Sequence, residues 1–320
     1  MIRRADIRWG ALAALSILGS SVAVAQSYPN KPVRIVTAAA GGGTDFASRM
    51  IAPGLASSLG QPFVVENLPS GAVLGITVAK APPDGHTLLL NGNAFWFVPL
   101  TMEKMPYDPA TDFEPVSTVT SSPNVLVVTT SLPVNSVKDM IALAKSRPGE
   151  LNYASPALGS SPHLAAELFK TMAGVNIVRI GYKGNAQALT DVISGRVQLT
   201  FAVAGAVGPH IKSGKVRALA ITGAKPSALF EGLPPVGDSL PGYEMIAVLG
   251  VFAPAKTSGT IIRRLNQEIK RVIEQPEVRQ KFLSAGVEPM SSSPQELAAI
   301  MKSEVTKFGK IIKEAGVGAD

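Results

Sequence analysis

Short β-branched runs alternate with stretches of helical period along almost the whole chain, and this alternation narrows the fold more than any other feature. Strands are expected over Val33–Thr37, Phe63–Glu66, Thr87–Leu90, Val125–Thr129, Ile177–Ile180, Gln198–Ala202, Ala218–Thr222 and Ile246–Phe252. Between many of them lie helical patterns, at Asp45–Leu59, Val137–Ser146, Pro162–Met172, Asn185–Ser194, Gly259–Glu274 and Pro294–Glu314. Strand followed by helix, repeated, gives α/β lobes with mainly parallel sheets flanked by helices. Ser136 before Val137 and Ser293 before Pro294 read as helix caps, each with an acid in the turn that follows. The last helix carries Leu297, Ile300, Met301, Val305, Phe308, Ile311 and Ile312 as one apolar stripe, a face that docks on a core.

At 320 residues the chain is long for a single core, so two lobes are expected. The Pro/Gly-rich stretch 232–242 precedes the strand Ile246–Phe252, and the equally apolar Val125–Thr129 leaves the first third. Two strands passing from lobe to lobe form a hinge. Lobe one then holds 26–124 plus 246–320, and lobe two holds 125–245.

The first residues set the compartment. Arg3, Arg4 and Arg8 precede an apolar run from Ala11 to Leu18, and Ala23-Val24-Ala25 ends in a small-residue cleavage pattern. Charge, short apolar core and small exit make a secretory signal peptide, 1–25, with the cut before Gln26. The apolar run falls short of the roughly 20 residues a membrane anchor needs. The mature protein is therefore expected in the periplasm.

Composition excludes several classes of function. There is no cysteine, which removes thiol chemistry, Cys-ligated zinc and a lipid-modified Cys anchor. The three histidines, His86, His163 and His210, stand at no metal-ligand spacing, so neither metal nor cofactor is implied. The formal charge of +7 is spread out, without basic blocks interleaved with aromatics, which argues against nucleic acid. A hydrolase would need an activated nucleophile, and no G-x-S-x-G elbow is present. An exported enzyme and a ligand-presenting sensor for a membrane kinase remain as alternatives to a binding protein.

Two junctions carry the functional reading. After Val33–Thr37 the chain runs through Gly41-Gly42-Gly43-Thr44-Asp45 straight into a helix. Glycines let the backbone approach a ligand closely, and a helix N-terminus offers free N–H donors with a partial positive charge. Thr44 or Asp45 is the expected cap, and Gly42 the position where a side chain would obstruct an anion. The second junction leads from Ser155 through Gly159 and Ser160 to Ser161, read as a cap, then Pro162 and His163. Tyr182-Lys183-Gly184 forms a third loop at a strand end. Ligands of open α/β sheets sit beyond such strand ends, so one cleft would collect all three. The candidate ligand-binding residues are Gly41, Gly42, Gly43, Thr44, Asp45, Ser155, Gly159, Ser160, Ser161, His163, Tyr182 and Lys183; none is assigned a catalytic role.

Ordered matches along the mature chain give it a family likeness. They include Tyr28-Pro29-Asn30-Lys31-Pro32-Val33, Gly41–Asp45, Leu59-Gly60-Gln61-Pro62-Phe63, Pro82-Pro83-Asp84-Gly85-His86-Thr87, Pro123-Asn124-Val125-Leu126, Tyr182-Lys183-Gly184 and Pro209-His210-Ile211-Lys212-Ser213-Gly214. In these the chain resembles the TctC-like, or Bug-type, extracytoplasmic solute receptors of tripartite tricarboxylate transport. The resemblance implies two α/β lobes of the type II periplasmic binding-protein kind. It also implies a small organic acid held between the lobes, delivery to membrane permease subunits, and a monomeric receptor. The family's binding loops fall on Gly41–Asp45 and Ser155–His163.

The chain departs from the family pattern in places. Ala40 stands where Pro usually precedes the glycines, and Asn67-Leu68-Pro69-Ser70-Gly71-Ala72-Val73 lacks the usual Arg. Ala202 replaces a common acidic residue, which argues against an amino-acid ligand whose ammonium would want a buried partner.

Overall fold

The structure is a computed structural model that describes residues 28–69, 72–97, 100, 106–156, 159–182, 184–227 and 229–314. The expected signal peptide and Lys183 lie outside the described residues. In chain order the elements are β1 (Val33–Thr37), α1 (Gly43–Leu59), β2 (Phe63–Asn67), α2 (Ala72–Ala79), β3 (Thr87–Gly92), α3 (Asn93–Phe97) and β4 (Phe113–Thr129). Then come α4 (Val137–Ser146), β5 (Asn152–Ser155), α5 (Ser161–Ala173), β6 (Val178–Gly181), α6 (Asn185–Ile193), β7 (Leu199–Val203), α7 (Ala204–Lys212) and β8 (Val216–Ile221). The chain closes with β9 (Ile246–Pro254), α8 (Gly259–Ile273), α9 (Pro276–Ser284) and α10 (Pro294–Glu314).

The strands follow the order β2-β1-β3-β9-β4-β7-β5-β6, with β8 also on β4. Within each half, strands joined by helical crossovers run parallel: β1 with β2 and β3, and β5 with β6 and β7. The expectation of mainly parallel sheets needs refinement, because β9 runs antiparallel to β3 and β4, and β4 antiparallel to β7 and β8. The cause is topological. One strand carries the chain from the first half to the second and another brings it back, so the two oppose each other.

Strand β4 is the longer of these. Through Pro123, opposite Ile246, it pairs with β9; from Asn124, opposite Val203, it pairs with β7 and β8. The expected strand Val125–Thr129 is only its second part. Its first part is rich in Ser and Thr, which hid it from a search for apolar runs. Those hydroxyls are buried but bonded: Ser117 Oγ donates to the Ser292 carbonyl at 3.1 Å, and Ser292 Oγ accepts the Thr118 N–H at 3.1 Å.

The helices form where capping and periodicity place them. Ser136 Oγ accepts the Asp139 N–H at 3.1 Å at the start of α4. Ser293 and Glu296 exchange bonds at the start of α10, Ser293 Oγ accepting the Glu296 N–H at 3.2 Å and Glu296 accepting the Ser293 N–H at 2.7 Å. The apolar stripe of α10 is buried at Leu297, Met301, Phe308, Ile311 and Ile312, and the helix packs against β4, α3 and α5. Phe95, Trp96 and Phe97 are core residues, with the Phe95 ring 5.0 Å from that of Phe252. Four helices escaped the periodicity. α2 is apolar all round, α3 is a single turn, α7 contains Gly205, Gly208 and Pro209, and α9 buries only Phe282. Among the described residues no helix is long and apolar enough to cross a membrane.

Candidate functional site

At the first junction the backbone leaves β1, turns through Gly41 at φ +82°, and enters α1 through Gly42 at φ −83° and ψ 170°. Of the three glycines, Gly41 is the one whose conformation an L side chain resists. Gly42 is the helix cap, and no side chain caps it, contrary to the expected role for Thr44 or Asp45. The first helical bond runs from the Phe46 N–H to the Gly42 carbonyl at 2.9 Å. The N–H groups of Gly43, Thr44 and Asp45 therefore precede the helical ladder, beside glycines that are exposed.

Asp45 works from within the first turn instead. Its Oδ2 accepts the Gly41 N–H at 2.9 Å, and its Oδ1 accepts from Arg49 Nε and from Asn67 Nδ2, each at 2.9 Å. Asn67 also donates to the Ala38 carbonyl at 2.7 Å and accepts from Arg49 at 2.9 Å. The bonds from Gly41 and Asn67, with the Arg49 charge, hold the Asp45 carboxyl below its ordinary value. This carboxylate braces the loop. Asn67 and Arg49, absent from the sequence-derived site, complete the brace.

The second junction is built on β5. Ser155 is wholly buried, its hydroxyl lies 3.4 Å from the Pro156 carbonyl, and its own carbonyl accepts the Tyr182 N–H at 2.9 Å. Gly159 adopts φ +71° and donates its N–H to His163 Nδ1 at 3.1 Å. Burial, then the nearby Arg179 charge, push the His163 imidazole down to about 4, so it is neutral at pH 7 with Nδ1 already engaged. His163 ties the loop to its helix. The cap of α5 is Ser160 and not Ser161, one residue earlier than expected, and Ser160 makes no side-chain cap bond. Ser161 opens the helix and Pro162 follows, in the first turn where a missing N–H is harmless. Ser161 Oγ donates to Asn124 Oδ1 at 3.3 Å, which fastens α5 to the crossing strand.

The third loop contributes less. The Tyr182 hydroxyl donates to Asp191 at 2.8 Å, and burial with that carboxylate pushes it up to about 12. Tyr182 is thus engaged within its own half of the fold. Helix α6 is capped by Gly184, which offers no side-chain cap bond. Arg179 on β6 donates to the Pro156 carbonyl at 2.8 Å and brings a positive charge behind the second junction. Sequence reasoning passed over Arg179 and Asn124. Asn124 had a visible signal, a polar residue between Pro123 and the apolar Val125–Val128.

The fold thus collects the predicted residues into two groups at the carboxyl ends of parallel strands, Gly41–Asp45 on the β1 sheet and Ser155–His163 on the β5 sheet. Hollows also border the helices. An open groove of about 910 Å³ borders α1 and α9 at Phe46, Met50 and Gln280, and one of about 600 Å³ lies by Trp96, Phe113 and Met301. Among the described residues no three His, Asp or Glu side chains converge to hold a metal ion.

Known proteins agree with this architecture. The profile of the tripartite tricarboxylate transporter family receptor, TctC, matches residues 47–317. Protein BugT of Bordetella pertussis (strain Tohama I) is 36% identical over 301 residues, covering 91% of each chain. Among solved structures, Rpa4515 of R. palustris with adipate is 38% identical with a TM-score of 0.78, covering 90% of this chain and 98% of its own. MatC (Rpa3494) of Rhodopseudomonas palustris with bound malate is 27% identical with a TM-score of 0.73, covering 89% of this chain and 100% of its own. With a family profile over most of its length and full-length relatives sharing a third of its residues, the chain belongs to the TctC, or Bug-type, receptors, which are two-lobed periplasmic solute-binding proteins.

Proposed function

We propose that this receptor captures a small carboxylate-bearing metabolite between its lobes in the periplasm and presents it to the permease subunits of a tripartite transporter. One observation carries the reading: α1 and α5, on different sheets, both begin just past strand ends, at Gly42 and Ser160, with their first-turn N–H groups ahead of the helical ladder. Their first-turn N–H groups suit an anion, and a rigid loop on each side fixes their direction. The carboxylates held by two relatives, adipate and malate, support the same chemistry.

On this reading Gly42, Gly43 and Thr44 meet the anion from lobe one, with Gly41 and Asp45 shaping the loop. Ser160 and Ser161 meet it from lobe two, with Ser155, Gly159 and His163 behind them. Tyr182 and Lys183 border the cleft. The lobes are 26–124 with 246–320, and 125–245. Two facts support this division: β4 changes partners at Asn124, and the Met245 N–H donates to the Thr222 carbonyl at 2.9 Å just before β9 returns. Export follows cleavage after Ala25, and the receptor works as a monomer.

The test uses protein recovered from the periplasm, with its intact mass measured and its melting followed against four- to six-carbon dicarboxylic acids. A bound acid at a hundred times its Kd stabilises by about 2.7 kcal/mol. A chain beginning at Gln26, stabilised by an acid that it leaves unconsumed, is the expected result. Absence of stabilisation by every acid tried, or their turnover, would sink the reading.

A further inference from the structure

Asn124 stands where β4 passes from β9 to β7, and its backbone is held firmly there. Its N–H donates to Thr222 Oγ1 at 2.8 Å and its carbonyl accepts the Thr222 N–H at 2.9 Å. The side chain is wholly buried. Its Oδ1 takes the Ser161 hydroxyl at 3.3 Å, while Nδ2 has no partner. A primary amide nitrogen carries two N–H donors, and buried donors are almost always used.

Other asparagines of this chain follow that rule. Asn67 Nδ2 reaches the Ala38 carbonyl and Asp45; Asn93 Nδ2 reaches the Ile246 carbonyl and Glu304; Asn266 Nδ2 reaches the Val116 and Ser292 carbonyls. Each of these structural amides spends its nitrogen on two acceptors. Asn124 has the anchored backbone and the anchored oxygen, but its nitrogen is idle, beside the first turn of α5.

We infer that Asn124 reads the ligand, its Nδ2 donating to a carboxylate or carbonyl oxygen seated on the first turn of α5. This rests on the carboxylate reading above and adds the side chain that recognises it. Because Nδ2 offers only donors, the ligand group at this end must offer only acceptors, and an ammonium there leaves both sides unpaired. In this geometry Nδ2 is sealed from solvent, so the ligand reaches it when the lobes part around β4 and β9. The residue that reads the ligand is then also the one at which the crossing strand changes sheets.

The test is calorimetric titration of adipate and L-malate into the wild type and Asn124→Ala, with the melting temperature of each free protein measured alongside. Affinity should fall about tenfold to a hundredfold, as for one hydrogen bond to a charged group. The free variant should melt only slightly lower than the wild type, because Asn124→Ala removes the idle Nδ2 donor but also the Oδ1 that takes the Ser161 hydroxyl. Unchanged affinity, or a loss that merely tracks a lower melting temperature, overturns the inference and leaves the carboxylate reading standing. A wild type that binds neither acid, nor any other four- to six-carbon dicarboxylate, sinks both. Should Asn124→Ala fail to fold, the side-chain amide resonances of Asn124 in labelled wild type decide. A downfield shift on saturation supports the role, and an unmoved pair refutes it.

Discussion

Gly41 and Gly42 are adjacent, yet the structure assigns them opposite sensitivities. Gly41 sits at φ +82°, where an L residue is strained by about 1–2 kcal/mol. Nothing lies within 4 Å of a Cβ built there, so the whole cost of Gly41→Ala is conformational. For a domain of this size that predicts a melting temperature lower by roughly 2–8 °C. Gly42, at φ −83° and ψ 170°, is in ordinary extended backbone, and a Cβ there meets only the Ala39 carbonyl at 3.4 Å. Gly42→Val should therefore lower the melting temperature only modestly, since extended backbone suits a β-branched residue while Val caps a helix less well than Gly. Its effect should appear in binding. Bulk at the mouth of α1 removes one or two N–H bonds to a charged ligand, each about 1.5–3 kcal/mol, or roughly tenfold to a hundredfold in affinity per bond. Differential scanning fluorimetry and calorimetric titration with a bound acid measure the two effects separately. Wild-type affinity in Gly42→Val would remove the anion from α1. An unchanged melting temperature in Gly41→Ala would refute the strain argument.

Asp45→Asn should lower the melting temperature at pH 7, and the gap to wild type should close as pH falls below 3.8, the ordinary carboxylate value. The sign follows from a lowered folded-state value: the stabilisation is present above the unfolded value and lost through the folded one. Gly205→Val should wedge the two halves apart, because a Cβ on Gly205 would lie 2.5 Å from the Ala285 carbonyl and one on Gly286 2.3 Å from Gly205 Cα. Small-angle scattering should show a larger radius with saturating acid, at a cost of about 1–3 kcal/mol, and a wild-type radius would show that the contact yields freely. Burial pushes the Glu304 carboxyl up to about 7 despite its bonds from Trp96 and Asn93, so the folded chain keeps a proton between 4.5 and 7 that the unfolded chain has released. Stability should then fall with rising pH across that window, by about 3 kcal/mol from this group, and denaturant titrations of Glu304→Gln should show a flatter profile.

The alternation of strands and helices was legible because buried parallel strands and amphipathic helices write their periods directly into the chain. Val33–Thr37 and Val137–Ser146 match the expected bounds for that reason. The crossing strand β4 was half legible. Val125–Thr129 is an apolar run, but the first part of β4 satisfies Ser and Thr hydroxyls against residues 288–292, nearly the whole chain away. No local pattern records such a partner. The two junctions showed the same split. Glycines and serines announced both helix N-termini, whereas the roles of Asp45 and His163 depended on what each touches after folding. Asp45 turned inward to Gly41 and Asn67, and His163 turned to Gly159.

These inward turns bear on what the cleft can select. The acidic side chain of the glycine junction has both oxygens occupied, by Gly41 on one and by Asn67 and Arg49 on the other. It has little acceptor capacity left for a ligand cation, and Ala202 supplies no carboxylate on β7. The imidazole that could have given a second charge is neutral, held by a backbone N–H. What the two helix starts themselves present is a set of backbone donors with fixed directions, the Arg49 and Arg179 charges being already engaged beside them. Such donors lose no side-chain freedom when a ligand arrives, and they stabilise negative charge without an opposing side-chain charge to desolvate. On the proposed reading, selection between anions falls to the distance separating the α1 and α5 ends in the closed receptor. A series of dicarboxylates graded by one methylene should accordingly show a sharp affinity optimum. A flat series would mean that a single helix end holds the ligand, with the opposite lobe contributing only enclosure.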